Sequence, residues 1–116
     1  MDNRKDKRFT TQLRVKLNSG SLIAWGILCD VSENGLFVKC NRDFIMDTAI
    51  SIEIFLPDNI NSLLKGIVKR KIEMSESYRK HGLGIELIEK DAPYQQYVRF
   101  QSEKIKAPVN TSELRI

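Results

Sequence analysis

The sequence predicts an all-β fold, a small six-stranded antiparallel barrel, closed or partly closed, with one C-terminal α-helix. Three observations carry this expectation. Six short segments rich in β-branched and aromatic residues recur along the 116 residues, most of them alternating with a period of two. Turn residues punctuate them at intervals of about 8 to 15 residues. Only after the sixth does the apolar spacing lengthen to three and four, the period of a helix.

The first strand starts at Phe9, where Phe9, Thr11, Leu13, Val15 and Leu17 fall on one face and Thr10, Gln12, Arg14 and Lys16 on the other. Asn18 to Ser21 is turn chemistry. "LIAWGILC" follows, apolar on both faces with Ile23, Trp25, Ile27 and Cys29 in register, so the second strand is expected to be central or well covered. Asn34-Gly35, both tolerant of positive φ, predicts the turn into a third strand, "LFVKC". After the loop "NRDFIMDT", the fourth strand places Ile50, Ile52, Ile54 and Leu56 on one face and stops at Pro57. "PDNIN" turns the chain into "SLLKGIVKRKIEM", with Gly66 at a bulge, and "LGIELIE" is the sixth strand. Asp91 then caps a helix with Pro93 in its first turn, and Tyr94, Tyr97 and Val98 recur at helical spacing, packing on the strands.

The totals agree with a single domain of ordinary globular composition: 41% hydrophobic residues, 29% charged and a net charge of +4. That charge favours anionic partners without choosing among them. No apolar run reaches the roughly 18 residues of a membrane span, and the N-terminal stretch has no hydrophobic signal region, so a cytoplasmic location is expected. Cys29 and Cys40 both end apolar runs and form no CxxC pair; they are expected to be buried free thiols. One histidine, His81, is too few soft ligands for a transition metal, so no metal site is expected.

Two short stretches remain. "RKDKR" gathers four cations around Asp6 just before the first strand. A charge run usually only solvates, but Arg4 and Arg8 present two guanidinium forks, each able to hold a phosphate or the O6 and N7 edge of a guanine through paired hydrogen bonds. "DVSENG" is at least a hairpin loop with local hydrogen bonds from Asp30 and Ser32. Two apart in an extended segment, these side chains are also expected to point the same way, a carboxylate for amino and imino donors beside a hydroxyl, with Gly35 leaving the backbone unobstructed.

In this order and spacing the two motifs, RxxxR and DxSxxG, resemble the signature of the PilZ family, and the likeness extends through "GLFVKC", "LLKGIVKRK" and "HGLGIEL" over roughly residues 4 to 105. The resemblance implies a six-stranded PilZ-type barrel that binds cyclic di-GMP. It implies that Arg4 and Arg8 clasp the ligand while Asp30, Ser32 and Gly35 form the platform, with Asn3 and Lys5 as additional candidates. One ligand or a stacked pair per chain stays open. The implied layout is a leader at residues 1–8, barrel and helix at 9–105 and a tail at 106–116. The implied action is a change of leader conformation on binding that signals to a partner protein.

No cofactor is expected besides that ligand, and the chain is expected to be a monomer or homodimer. The first alternative is an adaptor of the same fold that binds no nucleotide. Binding of a nucleic-acid polymer is not expected, because it calls for aromatic residues interleaved with cations on exposed strand faces, and Trp25 and Phe37 lie in apolar runs. Catalysis is not expected either: Ser32 sits in no G-x-S-x-G elbow, and there is no phosphate loop.

Overall fold

Among the described residues six strands and one helix follow in the order the alternation predicts, with a short 3-10 turn after the fourth strand. The computed structural model describes residues 7–75 and 79–106; Asn3, Arg4 and Lys5, and the tail from residue 107, lie outside the described residues. The strands are β1 (Phe9–Asn18), β2 (Ile23–Val31), β3 (Gly35–Cys40), β4 (Ala49–Leu56), β5 (Ile60–Glu73) and β6 (His81–Glu89), and the helix is α1 (Ala92–Lys106). All neighbours are antiparallel, and the sheet closes as β1-β2-β3-β6-β5-β4.

The inward-facing residues fill the barrel: Val15 and Leu17 from β1, Leu28 from β2, Val38 from β3, Ile52 and Ile54 from β4, Val68 from β5 and Leu83 from β6 are all buried. Phe44, from the loop after β3, joins them, as do Tyr94 and Val98 of α1. Burying such side chains at roughly 1.5 to 3 kcal/mol each is what offsets the entropy of ordering the chain. Asp91 caps α1 as expected, accepting from the Tyr94 amide at 3.1 Å; it also ties the helix to β5 by accepting from Ser62 Oγ and the Leu63 amide, both at 2.7 Å. Cys40 is buried and Cys29 half-buried, and both are free thiols. No helix among the described residues is long and apolar enough to cross a membrane.

Three local expectations are corrected. The strand β2 is not covered on both sides: Ala24 and Leu28 face the core, whereas Ile23 and Trp25 stand on the outer surface, Trp25 at 49% exposure. The turn between β2 and β3 does not use positive φ at Asn34 or Gly35, since the left-handed residues among those described are Gly20, Asp47, Asp58 and Asn59. It is held instead by Ser32, whose amide donates to the Gly35 carbonyl at 3.0 Å and whose hydroxyl reaches the same oxygen at 3.3 Å. Finally β5 begins earlier than the pattern predicts, because Asp58 and Asn59 adopt φ of 66° and 59° within the 3-10 turn Pro57–Asn59 and redirect the chain straight into Ile60.

Strict alternation breaks at bulges, and these position the surface that follows. In the β2–β3 ladder Leu28 pairs with Val38 but Asp30 with Phe37, leaving Cys29 as an extra residue. In the β5–β6 ladder Val68 pairs with Ile85 but Arg70 with Gly84, leaving Lys69 extra. Because side chains alternate with period two, one inserted residue inverts the parity of what comes after. Were Cys29 and Lys69 paired in regular register, Asp30 and Arg70 would continue the inward faces of Leu28 and Val68; with the bulges, both turn outward. Gly66 also lies at a register shift, against the displaced Ile88.

Candidate functional site

The two bulges align one row of residues across five strands: Thr10 pairs with Asp30, Asp30 with Phe37, Phe37 with Gly84 and Gly84 with Arg70. Over this row lies an open cavity of about 280 Å³ lined by Arg8, Asp30, Ser32 and Gly35 together with Phe37, Lys69, Arg70 and Glu86. Of the residues singled out in the sequence, Arg8, Asp30, Ser32 and Gly35 therefore meet in one depression. Arg4, Asn3 and Lys5 belong to the segment outside the described residues, so the second fork of the arginine pair is not part of this geometry.

Each lining residue has a local reason for its place. Asp30 is half-buried and faces out because of the extra Cys29. Ser32 is buried, its hydroxyl turned toward the Gly35 carbonyl. Its own carbonyl accepts a 2.5 Å hydrogen bond from the Tyr94 hydroxyl, which couples the loop to α1. Asn34 extends the clamp: its carbonyl accepts from the Leu87 amide at 2.9 Å, and its side-chain oxygen from Lys90 Nζ at 2.7 Å. Gly35 faces the cavity without a side chain, and a methyl there would meet the Ile85 carbonyl and the Ser32 hydroxyl at 3.4 and 3.6 Å, ordinary contact distances. The glycine is thus not required for folding space.

Two further glycines shape the floor. A Cβ on Gly82 would collide with the Phe37 ring at 2.6 Å, and one on Gly84 would stand 3.1 Å from Arg70 Cβ. The ring of Phe37 and the side chain of Arg70 therefore lie across β6 in space that only glycine leaves free. Three cations, Arg8, Lys69 and Arg70, face two carboxylates, Asp30 and Glu86, around this floor. Lys69 pairs with Asp47 at 3.7 Å across exposed surface, a contact that contributes little. An arrangement with guanidinium groups, a carboxylate acceptor and an aromatic ring on one open surface can hold a flat, polyanionic molecule by charge-assisted hydrogen bonds and stacking.

Phe37, Lys69, Arg70 and Glu86 were not singled out in the sequence. Their signal was there in two forms: glycines two apart in "GLG", which leave bare ground on one strand face, and the run "VKRK", where alternation fails. A larger cleft of about 360 Å³ lies between the start of β1 and α1, lined by Lys7, Phe9, Glu33, Tyr94, Val98 and Arg99 among others. It contains none of the motif residues. Among the described residues no group of three or more His, Cys, Asp or Glu is placed to hold a metal ion.

A model of the PilZ domain matches residues 2–101. Among solved structures the chain is similar to the inhibitor of motility MotI/DgrA of Bacillus subtilis, with a TM-score of 0.73 at 18% identity over 90% of this chain and 51% of that one, so it spans about half that protein's length. It is also similar to the PilZ domain of YcgR from Escherichia coli, solved with c-di-GMP, with a TM-score of 0.62 at 9% identity over 97% of this chain and 100% of that one. The PilZ domain of CeSA from a cellulose-synthesizing bacterium gives 0.57 at 22% identity, covering 84% and 97% of the two chains. No curated protein matches the chain. These likenesses carry the fold, and the family match spans nearly all of it: the chain belongs to the PilZ domain family.

Proposed function

We propose that the protein is a cyclic di-GMP receptor, and that the cavity over the Asp30–Phe37–Gly84–Arg70 row is where the nucleotide sits. The single observation that supports this reading is that Arg8, Asp30, Ser32 and Gly35, drawn from two motifs more than twenty residues apart in sequence, line one cavity. In this reading the Arg8 fork takes a phosphate or a guanine edge, Asp30 accepts from guanine imino and amino groups, and Gly35 admits the base close to the strand. Arg4 supplies the second fork, and Asn3 and Lys5 add contacts beside it. No bond is made or broken; the protein is a receptor rather than an enzyme.

Charge-assisted hydrogen bonds contribute roughly 1.5 to 3 kcal/mol each, and micromolar affinity corresponds to about 8 kcal/mol. Three or four such contacts with base stacking suffice after the cost of immobilising ligand and chain is subtracted. The output is a rearrangement of the N-terminal segment over the bound nucleotide, which presents a new surface to a partner protein in the cytoplasm. Whether one nucleotide or a stacked pair binds is read from the stoichiometry of the same titration.

Calorimetric titration with cyclic di-GMP, against GTP and cyclic GMP as controls, tests the reading. The expected result is saturable binding of cyclic di-GMP alone, weakened about 10- to 150-fold by Arg4→Ala or Arg8→Ala, the equivalent of about 1.4 to 3 kcal/mol, with the circular dichroism of the fold unchanged. Absence of binding, or equal binding of all three nucleotides, refutes it and leaves the nucleotide-free adaptor.

A further inference from the structure

Away from the cavity the barrel wall carries a second constellation, on the outer faces of β2, β1, β4 and β5. Lys16 pairs with Trp25 on one side and Glu53 on the other, and Glu53 pairs with Leu63, so one row crosses all four strands. Trp25 and Phe55 reach toward each other across β1 and stack, with centroids 5.7 Å apart and planes inclined by 22°. The Arg14 guanidinium lies 5.0 Å from the Trp25 ring centre and 5.4 Å from that of Phe55, and Lys16 Nζ lies 5.9 Å from Trp25. Beside this box a cleft of about 320 Å³ opens along Lys16, Glu53, Leu63 and Lys65. Leu63 is 65% exposed and Trp25 49%.

Core packing does not account for this group. An aromatic pair and two cations on a solvated strand face hold apolar area in water, and among the described residues neither Arg14 nor Lys16 makes an ion pair. Glu53, the nearest carboxylate in the row, accepts instead from Asn61 Nδ2 at 2.8 Å. Trp and Arg are the residues that most often anchor protein interfaces, where apolar contact and a charged hydrogen bond are made together. Because the cations already lie over the rings, the side chains are held ready for contact and lose little freedom on docking.

We infer that this face is a docking surface for an acidic protein segment, one that sets carboxylates against Arg14 and Lys16 and an apolar side chain in the cleft beside Leu63. Charge complementarity selects that occupant: Lys65 pairs with Glu89, and the remaining charges, Arg14 and Lys16 against Glu53, leave the face net positive. Single-stranded nucleic acid fits less well, since base stacking needs a bare ring face and these rings face each other and the two cations. The surface goes beyond the nucleotide reading and does not depend on it, because the cleft and the cavity have no lining residue in common.

The chain has one tryptophan, so its emission reports from the docking face itself. The experiment is selection of a random peptide library on the full-length protein, followed by titration of each enriched peptide against Trp25 emission. The expected result is enrichment of peptides that combine several carboxylates with a large apolar residue, shift the emission saturably, and lose about tenfold or more in affinity to Arg14→Gln, read by emission, and to Trp25→Ala, read by calorimetry because that variant has no tryptophan. Circular dichroism checks that both variants fold, and Arg14→Gln serves if Trp25→Ala does not. No enrichment, peptides without excess carboxylates, or affinities indifferent to Arg14→Gln overturn the inference. Saturable quenching by oligothymidylate assigns the face to nucleic acid and overturns it as well. Cyclic di-GMP titration of the same variants separates the two sites: both should bind as the parent does, and failure of the parent to bind the nucleotide leaves the docking result standing.

Discussion

Replacing Arg70 by alanine tests whether the row built by the bulges is the floor of the nucleotide site. Arg70 is exposed and makes no ion pair among the described residues, so its loss should change folding stability by no more than about 0.5 kcal/mol. Binding should respond much more. The guanidinium lies over Gly84, level with Asp30 and Phe37, and removing one fork's charge-assisted hydrogen bonds costs roughly 1.5 to 3 kcal/mol, or about 10- to 150-fold in affinity. Arg70→Lys keeps the charge without the fork and should fall between the two. Gly84→Val provides an independent arm, because its side chain occupies the space where Arg70 lies and displaces the guanidinium without removing it. Calorimetry with cyclic di-GMP reads the affinities and urea denaturation the stabilities. If Arg70→Ala binds as tightly as the parent while Arg8→Ala does not bind, the row is scenery and the ligand sits toward the N-terminal segment alone.

Tyr94→Phe removes the donor to the Ser32 carbonyl and should lower stability by about 1 to 2 kcal/mol, seen as a lower urea midpoint with an unchanged slope; an unchanged midpoint counts against the coupling of loop and helix. Asp91→Ala removes the cap of α1 and both ties to β5 at once, and should cost roughly 2 to 4 kcal/mol, so a midpoint close to the parent's contradicts the anchoring role. Burial raises the Cys40 thiol above its ordinary 9.0, outweighing an opposing backbone hydrogen bond at Arg42, and the nearby Asp43 carboxylate pushes the same way as burial. The native thiol therefore stays protonated while the unfolded one ionises, so the parent should lose stability relative to Cys40→Val as pH rises past 9.0. A difference between the two that is constant with pH refutes that account.

The architecture was legible because most of it rests on alternation, a signal local to each strand. Six strands, their succession along the chain and the Asp91 cap were all predictable from Phe9 to Val98, but not the order in which the strands pair. The motif residues could be named, but not their meeting place. Arg8 and Asp30 are brought together by the β1–β2 ladder, and Asp30 faces outward only because Cys29 is bulged out of its ladder, which no propensity announces. Arg70 was hidden for the same reason, one residue past the extra Lys69. Trp25 was misjudged because "LIAWGILC" is apolar on both faces, and composition cannot tell a covered face from one that waits for a partner. The Asn34-Gly35 dipeptide suggested a left-handed turn, but the local Ser32–Gly35 hydrogen bonds, braced by the tertiary one from Tyr94 to the Ser32 carbonyl, hold another geometry.

The bulges at Cys29 and Lys69 give their two ladders one spare residue each. Exchanging either residue for another leaves the count intact, and the pattern of inside and outside survives. Excising either would join Leu28 to Asp30, or Val68 to Arg70, and as consecutive residues of a regular ladder these still face opposite sides, so the aspartate and the arginine would stay outward and the core would keep its side chains. Among relatives, a gap at either position should therefore be commoner than a gap at the paired residues beside it, and engineering of this scaffold can vary or drop those two letters so long as it keeps their neighbours.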